Sequence, residues 1–193
     1  EGELERLSRG YIGGLYKYLG EKVDVPAPDA NTNAQVMAWM TDEYIKITGN
    51  HSLGVITGKP VEWGGSKGRG VATGYGVSLI ANEVLKKNGM NIENARVSVQ
   101  GFGNVGSLSA LSLHNLGAKV VSIAKRKDAI YNEDGFDVGQ LIEYSKNNRD
   151  LSGFPGAKKI SLDEFWKLSV DIMVPAALEN AINEDNAPVL NAK

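Results

Sequence analysis

Gly101-Phe102-Gly103-Asn104-Val105-Gly106 is the stretch that decides the fold of this chain. An apolar run over 96–100 comes before it, and a segment of helical character over 107–116 follows. In this strand–turn–helix setting, the G-x-G-x-x-G spacing is typical of dinucleotide binding. The first glycine permits a tight turn, the second lets backbone approach a pyrophosphate, and the third allows close helix–strand packing. The N–H groups that open the helix then face the anion.

Residues about 20 positions further on indicate which dinucleotide this turn would hold. An acidic residue at that point would hold the ribose 2′-hydroxyl of NAD. This chain instead has Lys125-Arg126-Lys127. Because guanidinium and ammonium groups bind phosphate, Lys125 and Arg126 predict NADP, with NAD also possible. A solvated turn between two strands explains the same three residues without a ligand.

Composition narrows the class of protein. A length of 193 residues suits one core, or one domain with part of another. The net charge of −2 gives no bias toward nucleic acid or membrane, and no run approaches the ~20 apolar residues of a membrane span. We therefore expect a cytoplasmic protein with neither partner. With no cysteine and two distant histidines, no metal site is expected.

Hydrophobic spacing predicts an α/β fold. Predicted helices cover 3–19, 32–48, 71–88, 104–116, 137–148 and 177–183, and predicted strands cover 53–57, 95–100, 119–124, 129–131 and 171–174. Asn31 or Thr32 is the expected cap of the second helix, and Ser161 with Glu164 has capping-box spacing. Strands that alternate with helices predict a Rossmann-like, doubly wound, mostly parallel sheet.

Two further segments carry candidate chemistry. Glycines cluster between 58 and 76 around Arg69 and Thr73, and this density suggests that backbone approaches a nicotinamide or phosphate group. The spacing of a phosphate-binding P-loop is absent. Asp29 ends the proline-stiffened segment 25–28. It is either a turn residue before the next helix or a carboxylate that transfers protons, and the spacing alone favours neither.

Taken in order, several segments resemble those of the glutamate dehydrogenases, of the hexameric bacterial and archaeal kind. The resemblance covers essentially all 193 residues at family-like spacing. The segments are 25–29 (V-P-A-P-D), 37–40 (M-A-W-M) with 42–44 (D-E-Y), 55–60 (V-I-T-G-K-P), 64–66 (G-G-S) with Arg69, 72–77 (A-T-G-Y-G-V), 101–106, 129–132 (A-I-Y-N) and 174–177 (V-P-A-A).

This resemblance implies roles for individual residues. Asp29 would be the catalytic acid and base. The implied cofactor-binding residues are Thr57, Arg69, Thr73, Gly101, Gly103, Asn104, Val105, Gly106, Lys125, Arg126, Ala176 and Ala177. The implied reaction is the reversible, NADP-dependent oxidative deamination of L-glutamate to 2-oxoglutarate and ammonia, in a homo-oligomer that is a hexamer in the family.

The resemblance also implies a domain plan and two departures from the family. Residues 1–52 would end a substrate and oligomerisation domain, and 53–193 would be a Rossmann domain that is incomplete at its C-terminus. The family's catalytic and substrate-binding lysines are expected before Glu1, so this chain alone is expected to be inactive. Many relatives have Ser-Asp-Ser where this chain has Ala124-Lys125-Arg126. The alternatives are a dehydrogenase of leucine, phenylalanine or valine, and a non-catalytic dinucleotide-binding or assembly fragment.

Overall fold

The computed structural model describes residues 1–193, which pack as two compact units. The first unit is Glu1–Arg69 and the second is Gly70–Lys193. Packing therefore divides the chain later than the domain boundary expected between 52 and 53. The expected boundary separates a substrate domain from a cofactor-binding domain, and that functional division stays a prediction.

The first unit is built on two helices, α1 (Gly2–Leu15) and α2 (Ala34–Thr48), with short 3₁₀ turns at Tyr16–Tyr18, Leu53–Val55 and Val61–Trp63. Its core contains Ile12, Met37 and Ile56. The side chain of Asn33 caps α2 by accepting the N–H of Val36 at 3.1 Å. The expected caps were wrong, because the Thr32 hydroxyl bonds the carbonyl of Asp29 and Asn31 is left-handed, with a φ of 63°.

The strand predicted over 53–57 does not form. Residues Leu53–Val55 make a 3₁₀ turn instead. The carbonyls of Leu53 and Ile56 accept hydrogen bonds from the ammonium of Lys59, and the N–H of Gly54 donates to the Glu21 carboxylate at 3.2 Å. These side chains satisfy backbone groups that a strand partner would otherwise use.

The second unit contains a five-stranded sheet with strand order β4-β3-β2-β1-β5. Strands β2 and β5 both pair in parallel with β1, and β3 is antiparallel to both of its neighbours. Only β3 therefore runs against the others, as expected for a mostly parallel sheet. The elements are α3 (Arg69–Lys87), β1 (Arg96–Gln100), α4 (Asn104–Asn115), β2 (Lys119–Lys125), β3 (Asp128–Tyr131), α5 (Val138–Asn147), β4 (Lys158–Ser161), α6 (Leu162–Trp166) and β5 (Ile172–Pro175).

Helices cover both faces of this sheet. On one face Val99, Ile123 and Ile130 share a core with residues of α3, α4 and α5. On the other face Ala124 and Ala129 share a core with the aromatic residues of α6. Consecutive residues of β2 and β3 thus point to opposite sides, as the two-residue period of a strand requires. The Rossmann-like, doubly wound arrangement is confirmed.

Two local details differ from expectation. Strand β4 was not predicted, because its four residues contain only one buried apolar side chain, Ile160. The helix predicted over 177–183 is absent, because asparagine side chains bond nearby backbone there: Asn186 accepts the N–H of Asn183 and donates to the carbonyl of Ala181. The Ser161–Glu164 capping box at the start of α6 is confirmed.

Gly74 joins α3 to α4 by direct backbone contact. A Cβ at this position would lie 2.6 Å from the Leu108 Cβ and 2.7 Å from the Ser109 nitrogen. Gly76, on the same helix, has open space around its Cβ position. The glycine density between 58 and 76 was attributed to ligand approach, and that attribution is wrong for Gly74, which serves helix packing.

Gly74→Ala should lower the free energy of unfolding by about 1–3 kcal/mol, since the added methyl group forces α3 away from α4. Gly76→Ala is the matched control, and it should stabilise the helix by up to about 1 kcal/mol because alanine favours helix. Denaturant unfolding of both variants measures the difference. Equal effects of the two substitutions would show that the α3–α4 contact is not tight.

Candidate functional site

The glycine turn lies where three strands of the sheet end. Gly101 follows β1 with a φ of 89°, a left-handed conformation that favours glycine. Its N–H donates to the carbonyl of Ala124 at 2.8 Å, and a Cβ would lie 2.4 Å from the carbonyl oxygen of Ala176. Ala176 in turn donates its N–H to Gln100 at 2.7 Å. The turn is therefore packed between the carboxyl ends of β2 and β5.

Gly103 and Gly106 differ in what surrounds them. A Cβ on Gly106 would lie 2.0 Å from the carbonyl oxygen of Gly101, so α4 begins in direct contact with the turn. A Cβ on Gly103 would meet nothing within 4 Å. The fold thus requires glycine at 106, whereas the space beside Gly103 is open to a ligand.

The start of α4 is free of side-chain capping. Gly103 is its N-cap residue and makes no side-chain cap hydrogen bond. Because the first N–H groups of a helix have no acceptor within it, those of Asn104, Val105 and Gly106 face outward. Together with the positive end of the helix dipole they form a site for an anion such as a pyrophosphate.

A cleft of about 540 Å³ lies beside this turn. It brings together five of the predicted cofactor residues: Gly101, Gly103, Lys125, Arg126 and Ala177. Its remaining lining is Gln100, Phe102, Ala124, Leu162, Leu178, Glu179 and Ala181. Parallel sheets of this type bind ligands at the carboxyl ends of their strands, where the cleft lies.

The cations at the end of β2 occupy a tight hairpin. Lys125 pairs with Asp128 across the β2–β3 ladder, which leaves Arg126 and Lys127 as the turn residues. Arg126 has a φ of 56°. Two-residue hairpin turns use positive φ, so the hairpin itself accounts for this conformation. The turn that was weighed as an alternative is therefore present, and Lys125 and Arg126 also line the cleft.

A second cavity, of about 410 Å³, lies against the same hairpin. It adds Arg149 and Lys159 to the three hairpin cations. A hydrogen bond to Asp128 raises the pKa of Lys159, and hydrogen bonds from Ser152 lower the pKa of Asp150. Arg149 carried no recognisable sequence motif, because the loop after α5 brings it to the hairpin from a distant part of the chain.

Asp29 belongs to the first unit and lies in a tight turn. The Thr32 N–H donates to the carbonyl of Asp29 at 3.0 Å, and the left-handed Asn31 occupies the third position of that turn. The side chain of Asp29 is exposed and accepts the N–H of Ala30 at 2.7 Å. It does not cap α2, since Asn33 does. Its second carboxylate oxygen is therefore open to solvent.

Thr57, Arg69 and Thr73 have exposed side chains. Thr57 donates its N–H to the carbonyl of Pro26 at 3.0 Å and so joins the Asp29 segment. Arg69 is the first residue of α3, and Thr73 lies one turn later beside Gly74. None of the three lines the cleft at the glycine turn. Their predicted contacts with a cofactor stay predictions.

The chain has neither a metal-binding cluster of side chains nor a membrane-spanning helix. No group of three or more histidine, aspartate or glutamate side chains is placed to hold a metal ion. None of the helices combines the length and the apolar character that a bilayer crossing demands.

Two protein-family models match the chain. The model described as Glutamate/Leucine/Phenylalanine/Valine dehydrogenase matches residues 64–193. The model described as Glu/Leu/Phe/Val dehydrogenase, dimerisation domain, matches residues 1–46. The first match contains the whole second unit with its glycine turn and cleft, and the second match covers residues 1–46 of the first unit.

Individual relatives agree with these models. The chain is 56% identical to an NAD-specific glutamate dehydrogenase of Clostridioides difficile, over 100% of this chain and 47% of the relative. It is 46% identical to an NADP-specific glutamate dehydrogenase of Saccharolobus shibatae, over 99% of this chain and 45% of the relative. The chain therefore spans about half the length of the curated relatives it matches.

A solved structure shows the same fold. The hetero-hexameric glutamate dehydrogenase of Thermus thermophilus, in a leucine-bound form, superposes with a TM-score of 0.91 at 36% identity. The match covers 99% of this chain and 45% of that one.

Proposed function

The chain belongs to the Glu/Leu/Phe/Val dehydrogenase family, and on that premise we propose that it serves the reversible, NADP-dependent oxidative deamination of L-glutamate to 2-oxoglutarate and ammonia. The observation that carries the proposal is the uncapped start of α4 beside the open face of Gly103. Gly103 lines the cleft of about 540 Å³, and the backbone N–H groups that open α4 begin at the next residue. The substrate assignment rests on relatives that are named glutamate dehydrogenases.

Residues of this chain are proposed to hold the cofactor. A nicotinamide dinucleotide would supply the acceptance of a hydride from the substrate α-carbon. The first turn of α4 would hold its pyrophosphate through the N–H groups of Asn104, Val105 and Gly106. Ala176 and Ala177 follow β5 and form the wall against which the turn packs.

Asp29 is the proposed acid and base. Deamination needs a group that takes a proton from the substrate ammonium, passes it to solvent, and then takes a proton from the water that attacks the resulting iminium carbon. A carboxylate suits this work when one of its oxygens is free. One oxygen of Asp29 accepts the Ala30 N–H, which fixes the carboxylate, and the other is open. Thr57, Arg69 and Thr73 are proposed to contact the cofactor or to line its cleft.

The choice of NADP rests on the hairpin after β2. Relatives named NAD-specific and NADP-specific are both similar to this chain, so membership of the family leaves either cofactor open. Lys125 and Arg126 line the cleft where a 2′-phosphate would lie, and Arg149 stands behind the same hairpin. The positive charges of Lys125 and Arg126 suit a phosphate group, which a guanidinium can bind through two hydrogen bonds.

We further propose a cytoplasmic homo-oligomer. The matched model of the first unit is described as a dimerisation domain, and a similar solved structure is described as hetero-hexameric. A hexamer of one kind of subunit is the assembly that the proposal favours.

The full-length protein should turn over L-glutamate with NADP, and Asp29→Asn should lower its kcat by about 100-fold or more, because the amide cannot accept a proton. Asp24→Asn is the matched control, since Asp24 is also exposed in the segment before α2, and it should keep wild-type kcat. Steady-state absorbance of NADPH measures both variants. Turnover of leucine in place of glutamate would overturn the substrate assignment, and dinucleotide binding without any turnover would favour a non-catalytic role.

Arg126→Gly separates cofactor choice from stability. Removing the guanidinium should weaken NADPH binding by about 10-fold or more and leave NADH binding nearly unchanged. The same change should leave the free energy of unfolding equal or up to about 1 kcal/mol higher, because glycine adopts positive φ without strain. Asn94→Gly is the control, since Asn94 is also left-handed, with a φ of 65°, and exposed. Equal weakening of both dinucleotides by Arg126→Gly would contradict the 2′-phosphate assignment.

A further inference from the structure

Lys59 is a buried lysine, and packing alone does not explain why a charged side chain occupies this position. The residue is 7% exposed, and burial lowers the pKa of its ammonium. Its hydrogen-bond partners are the backbone carbonyls of Leu53, at 2.6 Å, and of Ile56. An apolar side chain of the same length would fill this volume without removing a charge from water. The ammonium is therefore retained for the two carbonyls that it binds.

These two carbonyls belong to the turn that replaces the expected strand over 53–57. Lys59 bonds both ends of it, so one side chain fixes the path of the backbone from Leu53 to Ile56. The loop that follows Lys59 also packs closely against the backbone of Lys59. A Cβ on Gly65 would lie 2.0 Å from the carbonyl oxygen of Lys59, and the N–H of Gly65 donates to Pro60 at 3.0 Å.

The same short stretch is in contact with the Asp29 segment. Thr57 donates its N–H to the carbonyl of Pro26. Gly58 has a φ of 75°, and a Cβ there would lie 2.6 Å from the ring of Pro28. Thr57 and Gly58, which lie between the turn and Lys59, therefore contact the segment that ends in Asp29.

We propose that Lys59 is a positioning residue for Asp29: by binding the carbonyls of Leu53 and Ile56 it fixes Thr57 and Gly58, which hold the Pro26–Pro28 segment in place. The inference rests on the proposed function, because it gives Asp29 the role of acid and base. Lys59 itself does not touch the substrate or the cofactor. Without it, the carbonyl of Leu53 and the buried carbonyl of Ile56 lose their donor, and the support beneath Asp29 loosens.

A double-mutant cycle on the full-length protein tests this role. Lys59→Met should lower kcat by about 10- to 100-fold, since a small displacement of a catalytic group has an effect of that size. In an Asp29→Asn background the same change should have no further effect, because the group that it positions is already gone. Lys46→Met is the matched control, since Lys46 is an exposed lysine of the same unit. A merely stabilising lysine would lower the melting temperature and leave kcat of the folded protein unchanged, which would overturn the proposal.

Hydrogen exchange gives a second readout of the role of Lys59, and a second variant is available if Lys59→Met does not fold. Hydrogen exchange at the Thr57 amide should be about 10-fold faster in Lys59→Met and unchanged in Lys46→Met, and equal exchange in the two would contradict the proposal. This readout needs no turnover, so it decides the role of Lys59 even if the protein fails to oxidise glutamate and the proposed function falls. If Lys59→Met does not fold, Lys59→Arg, which keeps a cationic donor of different reach, enters the same cycle with the same expectation.

Discussion

The contact between Gly106 and the carbonyl of Gly101 is the constraint on which the rest of the second unit depends. Because a Cβ at 106 would lie 2.0 Å from that oxygen, α4 begins directly against the turn that ends β1. The same turn is pressed against Ala176 after β5 and bonded to Ala124 at the end of β2. Three strand ends and one helix start are thereby fixed to one another. The space left over is the cleft, and the open face of Gly103 is part of its lining.

The positions of the charged side chains bear on the choice between NAD and NADP. The start of α4 attracts an anion through backbone groups alone, which any dinucleotide satisfies. Discrimination must come from side chains, and those that the structure supplies are Lys125 and Arg126 on the hairpin after β2. The proton chemistry proposed for Asp29 belongs to the first unit, where Asp29 follows a stiff proline segment and Lys59 bonds the turn from Leu53 to Ile56. In this proposal, cofactor binding and proton transfer are supported by different local structures.

The sequence predicted those features that depend on contacts close together in the chain. The turn at 101–106, the β1–α4–β2 order and the Ser161–Glu164 capping box each need only neighbouring residues, and each is confirmed. Features that depend on distant contacts were missed. The 53–57 segment has the apolar pattern of a strand, but Lys59 and Glu21 take its backbone groups. Gly74 and Gly58 resembled ligand-contacting glycines, and the structure places them against Leu108 and Pro28.

The central claim is that the turn beside Gly103 is a dinucleotide site, and calorimetric titration of NADPH into Gly103→Ala tests it most directly. Because the added methyl group meets no protein atom within 4 Å, the free energy of unfolding should fall by no more than about 1 kcal/mol, the cost of alanine in place of glycine at an N-cap. The methyl group would instead occupy space needed by the pyrophosphate, so affinity should fall by about 10-fold or more. Gly13→Ala, another position with open space, should bind like wild type. Wild-type affinity in Gly103→Ala would contradict the account.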